Sequence, residues 1–437
     1  MILSGSVEEA RERLNGKILE EGKKTESRFG DIIKSRPAFA VIKNLEYTGD
    51  IDHDFWNFCG DNYFNRVENL LETAAEKLKA SPFTRRISIP IWRPDDHFCR
   101  NPPAITEVSF IQLNNRLNST AYFRSLDVFN YFFHNLDFLN YLVEEILERT
   151  EFMKGTLGIV IGIPHIYLRD LKAVEGEGVR PKEFFGYSEH GCHLVDDYLS
   201  SAWHSALETI YNLGMEKETE WGEIFEGQAE CKFVHRLFIE VKNPYDLQIH
   251  DKAPFSRGYG IEYAHEYMIH ARYIDSEVKE SILKEGETYT YAERARYCEK
   301  DDVRVDQLYR VIQKLKQDRN SRDCYVGISR EWDLNAEEPP CLRGYQFICN
   351  DKLSGIFYMR SNDAYGAMHA NMFAFSTLTQ YVAELTGFKE HEYFHFAVDA
   401  HIYSEFLDAV KEILQPETPA YSIEGHSKSE KPKNFST

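Results

Sequence analysis

Basic charge is scarce in this chain. Lys and Arg number 51 against 71 Asp and Glu over 437 residues, a formal net charge of −20. That excludes a general nucleic-acid or anionic-membrane surface, both of which are held by an excess of cations. A local basic pocket for a small anion stays open. No stretch approaches the roughly 18–20 apolar residues of a membrane span. The first residues, Met1-Ile2-Leu3-Ser4 followed by Glu8, Glu9 and Arg11, lack the apolar core of a secretory leader, so a cytoplasmic setting is expected. The eight cysteines include no C-x-x-C pair, which reads as reduced thiols rather than a disulfide framework. Neither G-x-G-x-x-G nor G-x-x-x-x-G-K-[ST] occurs, leaving dinucleotide and P-loop chemistry without support. Two metal-like clusters are set aside. HEYFH (391–395) has the zinc spacing but leads into an alternating strand instead of a helix, and EHGCHLVDD (189–197) has nothing downstream to complete four ligands. No metal site is expected.

What the chain does contain is enough apolar residue, 43% with 14% aromatic, to bury a core that offsets its ordering entropy. It also contains itself. FRSLDVFNYFFHNLDFLNYLVEEILERTEF (123–152) aligns without a gap to MRSNDAYGAMHANMFAFSTLTQYVAELTGF (359–388), with Arg124/Arg360, Ser125/Ser361, Asp127/Asp363 and Asn135/Asn371 coinciding. The register continues into PHIYLRD and AHIYSEF, and upstream, one residue slipped, SPFTRRISIPIW (81–92) pairs with DRNSRDCYVGIS (318–329) and NPPAI with EPPCL. A repeat of this length makes two copies of one domain the expected organisation. Each copy reads as α/β with mixed strands. The expected boundaries are a charged, solvated N-terminal helix over 1–30, a first domain over 31–170, a connector over 171–227, a second domain over 228–415 and a flexible tail over 416–437.

PPCLRGYQF, LSGIFYMRSNDAYGAMHANMFAF and HFAVDAHIY, in this order, resemble the thymidylate synthase family. Cys-Leu after the prolines and Arg-Ser-Asn-Asp look most like its archaeal-type synthases and the pyrimidine nucleotide hydroxymethylases. The resemblance covers about 230–415 and, more weakly, 35–170. It implies the mixed-sheet layered α+β fold of that family, here as two copies forming an intramolecular pseudo-dimer, so that a monomer suffices. It also implies 5,10-methylenetetrahydrofolate as cofactor and a pyrimidine nucleoside monophosphate as partner.

The chemistry agrees with that resemblance. C5 of a uracil or cytosine ring is a poor nucleophile until a thiolate adds at C6, and Cys341 sits after two prolines that stiffen its loop, where nearby arginines favour a thiolate. By the resemblance, Cys341 is the nucleophile, Arg360 and Ser361 hold the phosphate and Asp363 faces the pterin. Asn371 reads the pyrimidine edge, since a side-chain amide offers a donor and an acceptor. His401 and Tyr403 bind the sugar hydroxyl, Gln346 orders the base site and Tyr291 joins the polar network near the ring. The family also needs a carboxylate to relay protons. Glu262 and Glu266 share a helix face, and Glu262 is preferred.

The two copies differ in opposite ways. The first keeps Arg85-Arg86 but has Ala104 where the nucleophile belongs; the second keeps Cys341 but has Arg322-Asp323. Because the resemblance implies that each subunit lends an Arg-Arg pair to its partner's phosphate site, Arg85 and Arg86 are expected at Cys341, giving one working site per chain. The expected reaction is one-carbon transfer to C5, with hydroxymethylation favoured over reductive methylation and uracil over cytosine. The alternatives are a thymidylate synthase proper, making dTMP, and a catalytically silent nucleotide-binding regulator.

Overall fold

Two sheets, each built from long apolar strands, carry the same plan. The computed structural model describes residues 1–46, 61–174, 182–219, 230–270, 289–296 and 305–415; the expected tail over 416–437 lies outside them. In the first sheet the strands run, edge to edge, Ile2–Ser4, Ala38–Ile42, Met153–Ile161, Arg116–Phe123, Ile105–Leu113 and Ser88–Pro90. In the second, after the edge strand Gly186–Ser188, they run Gly191–Asp196, Glu230–Val241, His391–Tyr403, Leu353–Met359, Leu342–Cys349 and Tyr325–Gly327. The pairing senses match step for step: parallel, antiparallel, parallel, then twice antiparallel.

This correspondence corrects two boundaries. Residues 1–30 are not a solvated appendage. The helix Val7–Glu21 buries Val7, Ala10, Leu14 and Ile18, an i, i+3, i+4 stripe narrow enough to look sparse among its charges, and that stripe joins the first core. Nor is 171–227 a connector throughout. Its part from 186 to 218 forms three strands and the helix Leu199–Leu213 of the second half, with Trp203, Leu207 and Ile210 fully buried in the second core. Both segments play one role, a strand and helix closing the same edge of each sheet.

The sheets also pack on each other. Phe39, Val41, Tyr122 and Val160 of the first meet Phe238, Tyr358, Phe394 and Phe396 of the second in a third core, with Phe39 edge-on to Phe396 at 5.2 Å. An aromatic pair in this geometry contributes roughly 0.5–1.5 kcal/mol beyond its area. Arg236, in the left-handed region at φ 56°, drops out of its ladder and crosses to the first sheet. There it donates to Thr120 Oγ1 (2.9 Å), Thr156 Oγ1 (2.8 Å) and Ser119 O (2.8 Å). Gly158 admits it, since a Cβ there would lie 2.5 Å from Arg236 Nε. No helix among the described residues is long and apolar enough to cross a membrane.

Candidate functional site

The strand His391–Tyr403 carries the site's floor. Side chains alternate along a strand, so Phe394, Phe396 and Val398 enter the inter-sheet core while Asp399, His401 and Tyr403 share the other face. His391 and His395 lie four residues apart on that strand, roughly 13 Å at its rise per residue, too far to share one ion.

Arg360, at the end of the neighbouring strand, assembles the wall. Its guanidinium donates to Pro340 O (3.1 Å), Pro339 O (2.7 Å) and Arg85 O (2.9 Å), and its backbone N–H donates to Cys341 O (2.9 Å). One buried side chain therefore ties the Pro-Pro-Cys loop of the second half to the Arg85-Arg86 segment that precedes the strand Ser88–Pro90 of the first. Tyr291 Oη accepts from the Leu342 N–H at 3.3 Å, pinning the other side of Cys341, which is half-buried and free. Cys99, by contrast, is disulfide-bonded rather than reduced. Its partner lies outside the described residues, and the scattered cysteine spacing gave no sign of a bridge.

Arg85 crosses into this site. Its guanidinium donates to Tyr403 Oη at 3.0 Å and lies 3.7 Å from Asp399. Burial alone would lower its pKa; Asp399 and Tyr403 raise it above the ordinary value. Burial pushes Tyr403 up to about 12 against the pull of Arg85, so its hydroxyl keeps a proton. Burial would raise the Asp399 pKa, yet Lys217, His401 and Arg85 hold it far below the usual range. Burial, then Arg85, lowers that of His401. A neutral His401 donates from Nδ1 to Asp399 Oδ1 at 2.8 Å, which leaves Nε2, buried and without a hydrogen bond among the described residues, as an acceptor. Arg86 donates to Glu338 Oε1 at 3.3 Å beside the same loop.

Asn371 accepts at Oδ1 from Tyr263 Oη (2.9 Å). Asp363 Oδ1 accepts from the N–H groups of Tyr365 and Gly366, both at 3.0 Å, and Ser361 is buried beside Arg360. Two expected residues do not join. Gln346 is fully buried at the junction of the halves, where Oε1 accepts from Tyr122 Oη and Nε2 donates to Arg124 O, each at 2.9 Å. Strand alternation aims it at the first half. Glu262 is exposed and Glu266 pairs with His265 at 2.6 Å, while Tyr263 between them faces Asn371. Asp399, Lys217 and Tyr263 were not expected. Asp399 had a signal, two residues before His401 on an alternating strand; Lys217 lay in the supposed connector.

The thymidylate synthase family model matches residues 40–184 and 258–436. The chain belongs to the thymidylate synthase family. Its chemistry at the level of the family is one-carbon transfer to C5 of a pyrimidine nucleotide. Two relatives carrying the name "Putative thymidylate synthase" are similar to half of this chain over nearly their whole length. That of Methanococcoides burtonii is 27% identical over 222 residues, 50% of this chain and 92% of the relative. That of Methanosarcina barkeri is 29% identical over 225 residues, again 50% and 92%. A thermostable thymidylate synthase A from Bacillus subtilis is 18% identical with a TM-score of 0.41, covering 50% of this chain and 84% of its own, a likeness too low to add to the family match.

Proposed function

We propose that this family member acts at one composite site per chain, transferring a one-carbon unit to C5 of a pyrimidine nucleoside monophosphate after Cys341 adds to C6. The observation that carries the reading is Arg85. It comes from the half that lacks the nucleophile, yet its guanidinium reaches Tyr403 and Asp399, and its carbonyl is held by the Arg360 that also holds the Cys341 loop.

In this reading Arg85, Arg86, Arg360 and Ser361 hold the phosphate, a role suited to guanidinium forks and a hydroxyl. The sugar hydroxyl donates to His401 Nε2 and accepts from Tyr403, whose proton is free because its oxygen accepts from Arg85. Asn371 takes the base edge, uracil before cytosine, since a ring N–H and a carbonyl match an amide. Tyr291 steadies the Cys341 loop so that the thiolate meets C6 at a fixed approach. Asp363 fits a pterin: two backbone N–H groups fix Oδ1, and Oδ2 takes no hydrogen bond among the described residues. 5,10-Methylenetetrahydrofolate, when bound there, supplies the one-carbon electrophile. Glu262 is given no role here, since it is exposed and the neighbouring Tyr263 is the side chain that reaches Asn371. Hydroxymethylation, in which water finishes the reaction, is favoured over reductive methylation because Cys341-Leu342 after the two prolines looks most like the archaeal-type synthases and the pyrimidine nucleotide hydroxymethylases. Cytoplasmic action as a monomer goes with this reading.

The test is direct. The protein is incubated with dUMP, UMP, dCMP and CMP plus methylenetetrahydrofolate, and products are weighed by mass spectrometry, which separates methyl from hydroxymethyl. Absence of any product with nucleotide binding intact would favour a silent nucleotide-binding homologue.

A further inference from the structure

The half without a nucleophile holds a cavity of about 840 Å³. Among its lining residues are Ala104, Asn135, His165 and Tyr167, the counterparts of Cys341, Asn371, His401 and Tyr403, together with Arg322 and Asp323 from the second half. The cross-half contact of the Cys341 site is repeated here, because Arg322 donates to Tyr167 Oη at 3.1 Å, as Arg85 does to Tyr403 at 3.0 Å. Tyr63 Oη accepts from the Ala104 and Ile105 N–H groups at 2.9 and 3.1 Å, as Tyr291 does from Leu342. The geometry of a binding site is therefore complete around an alanine that can add to nothing.

Two features say what it takes. Asn135 is 2% exposed; its Nδ2 donates to Tyr131 O at 2.6 Å, while Oδ1 is buried without a hydrogen-bond partner among the described residues. A buried acceptor left unpaired is unfavourable, and a ring N–H of a pyrimidine would satisfy it. The phosphate position, however, is already filled from within. Asp323 Oδ1 lies 2.7 Å from Arg124 and Oδ2 2.9 Å from Arg28, so a carboxylate of the protein occupies the two guanidinium groups. Arg322 is engaged by His165 and Tyr167. A phosphate beside Asp323 would meet like charge in a buried setting.

We infer that this cavity binds an uncharged pyrimidine nucleoside and does no chemistry on it, with Asn135 reading the base and the Tyr167 hydroxyl donating to the sugar. The assignment rests on the base and sugar roles given above to Asn371 and Tyr403. The Arg124 carbonyl that accepts from Gln346 of the second half is the contact through which occupancy would be felt on the other side of the junction.

The experiment is calorimetric titration of the full chain with deoxyuridine and with dUMP. Deoxyuridine is expected to bind once per chain in wild type and in Asn371→Leu and at least thirtyfold more weakly in Asn135→Leu, whereas dUMP binds once in wild type and in Asn135→Leu. Asp323→Asn frees Arg28 and Arg124, and is expected to raise the dUMP stoichiometry from one to two, a gain that a misfolded chain cannot produce. Deoxyuridine binding lost in Asn371→Leu and kept in Asn135→Leu overturns the proposal, as does a dUMP stoichiometry of one in Asp323→Asn. Absence of dUMP binding in wild type instead removes the Cys341 reading on which it rests.

Discussion

The Arg85 guanidinium donates to the Tyr403 hydroxyl at 3.0 Å, joining residues 318 positions apart and two halves that repeat one strand order. Arg322 and Tyr167 make the matching contact on the other side. Asp323 follows Arg322 where Arg86 follows Arg85, and this is the difference that separates the two sites electrostatically.

Replacing Arg85 by Ala removes the buried cation of the phosphate position. A hydrogen bond to a charged group contributes about 1.5–3 kcal/mol, and losing a buried charged partner about 2–5 kcal/mol. The dissociation constant for dUMP should therefore rise roughly 30- to 4000-fold, with Arg85→Lys in between. Asp323→Arg should leave turnover almost unchanged, since it alters the site without a nucleophile. Nucleotide titrations and steady-state rates on the three variants check this, and unaltered binding in Arg85→Ala would sink the composite site.

Cys341→Ala should lower turnover at least a thousandfold, about 4 kcal/mol in barrier, while dUMP still binds within a few-fold, because the thiol adds to the ring but does not hold the phosphate or sugar. Ala104→Cys should create no second activity, since Asp323 still occupies Arg124. Rates and calorimetry on both variants read this out. Loss of binding parallel to loss of rate would mean that Cys341 shapes the pocket rather than reacting in it.

Much of the site was legible because its residues fall in short runs with local chemistry: Arg360 and Ser361, then Asn371 on one helix, then His401 and Tyr403 on one strand face. What the sequence did not reveal is longer in range. Gln346 sits on a strand buried on both faces, so alternation alone cannot say which half it serves, and it turns toward Arg124. Lys217 reaches Asp399 from a short strand that only pairing with Glu230–Val241 creates. In the N-terminal helix four apolar positions among many charges suffice for burial because a sheet edge lies ready to cover them. Tyr263 begins the π-helical stretch Tyr263–Ile269, whose wider turn the α-helical spacing of Glu262 and Glu266 does not anticipate.

Acid should weaken the fold between about pH 6.5 and pH 4. His369, His391 and His395 are buried, and burial lowers their pKa values to about 4, about 4 and about 3. The unfolded chain takes up protons on these rings below about pH 6.5, the native one does not until near pH 4. Stability thus rises with pH through this window. At pH 5 each ring contributes a loss of about 2 kcal/mol, and three together are a large share of the roughly 5–15 kcal/mol of a typical domain. Urea midpoints at pH 7 and pH 5 measure it; His395→Gln should shrink the difference, and a pH-independent midpoint would contradict the burial of these rings.

The junction itself is tested at Glu107 and Arg343, one from each half. Their side chains are 0% and 1% exposed, with Arg343 Nε donating to Glu107 Oε1 at 2.9 Å. Ser88 donates to Oε1 and Ser329 to Oε2 of the same carboxylate, both at 2.6 Å. Burial would lower the Arg343 pKa, but Glu107 and then Asp333 raise it. Removing one member leaves an uncompensated charge in the interior, which costs about 3–5 kcal/mol, whereas replacing both by apolar groups of similar volume is often neutral. Glu107→Leu and Arg343→Met should each lower the urea midpoint strongly, and the double variant should recover most of that loss, a coupling of up to about 3 kcal/mol. If the two single losses simply add, the charges are independently solvated and the halves are held by the apolar sheet faces alone.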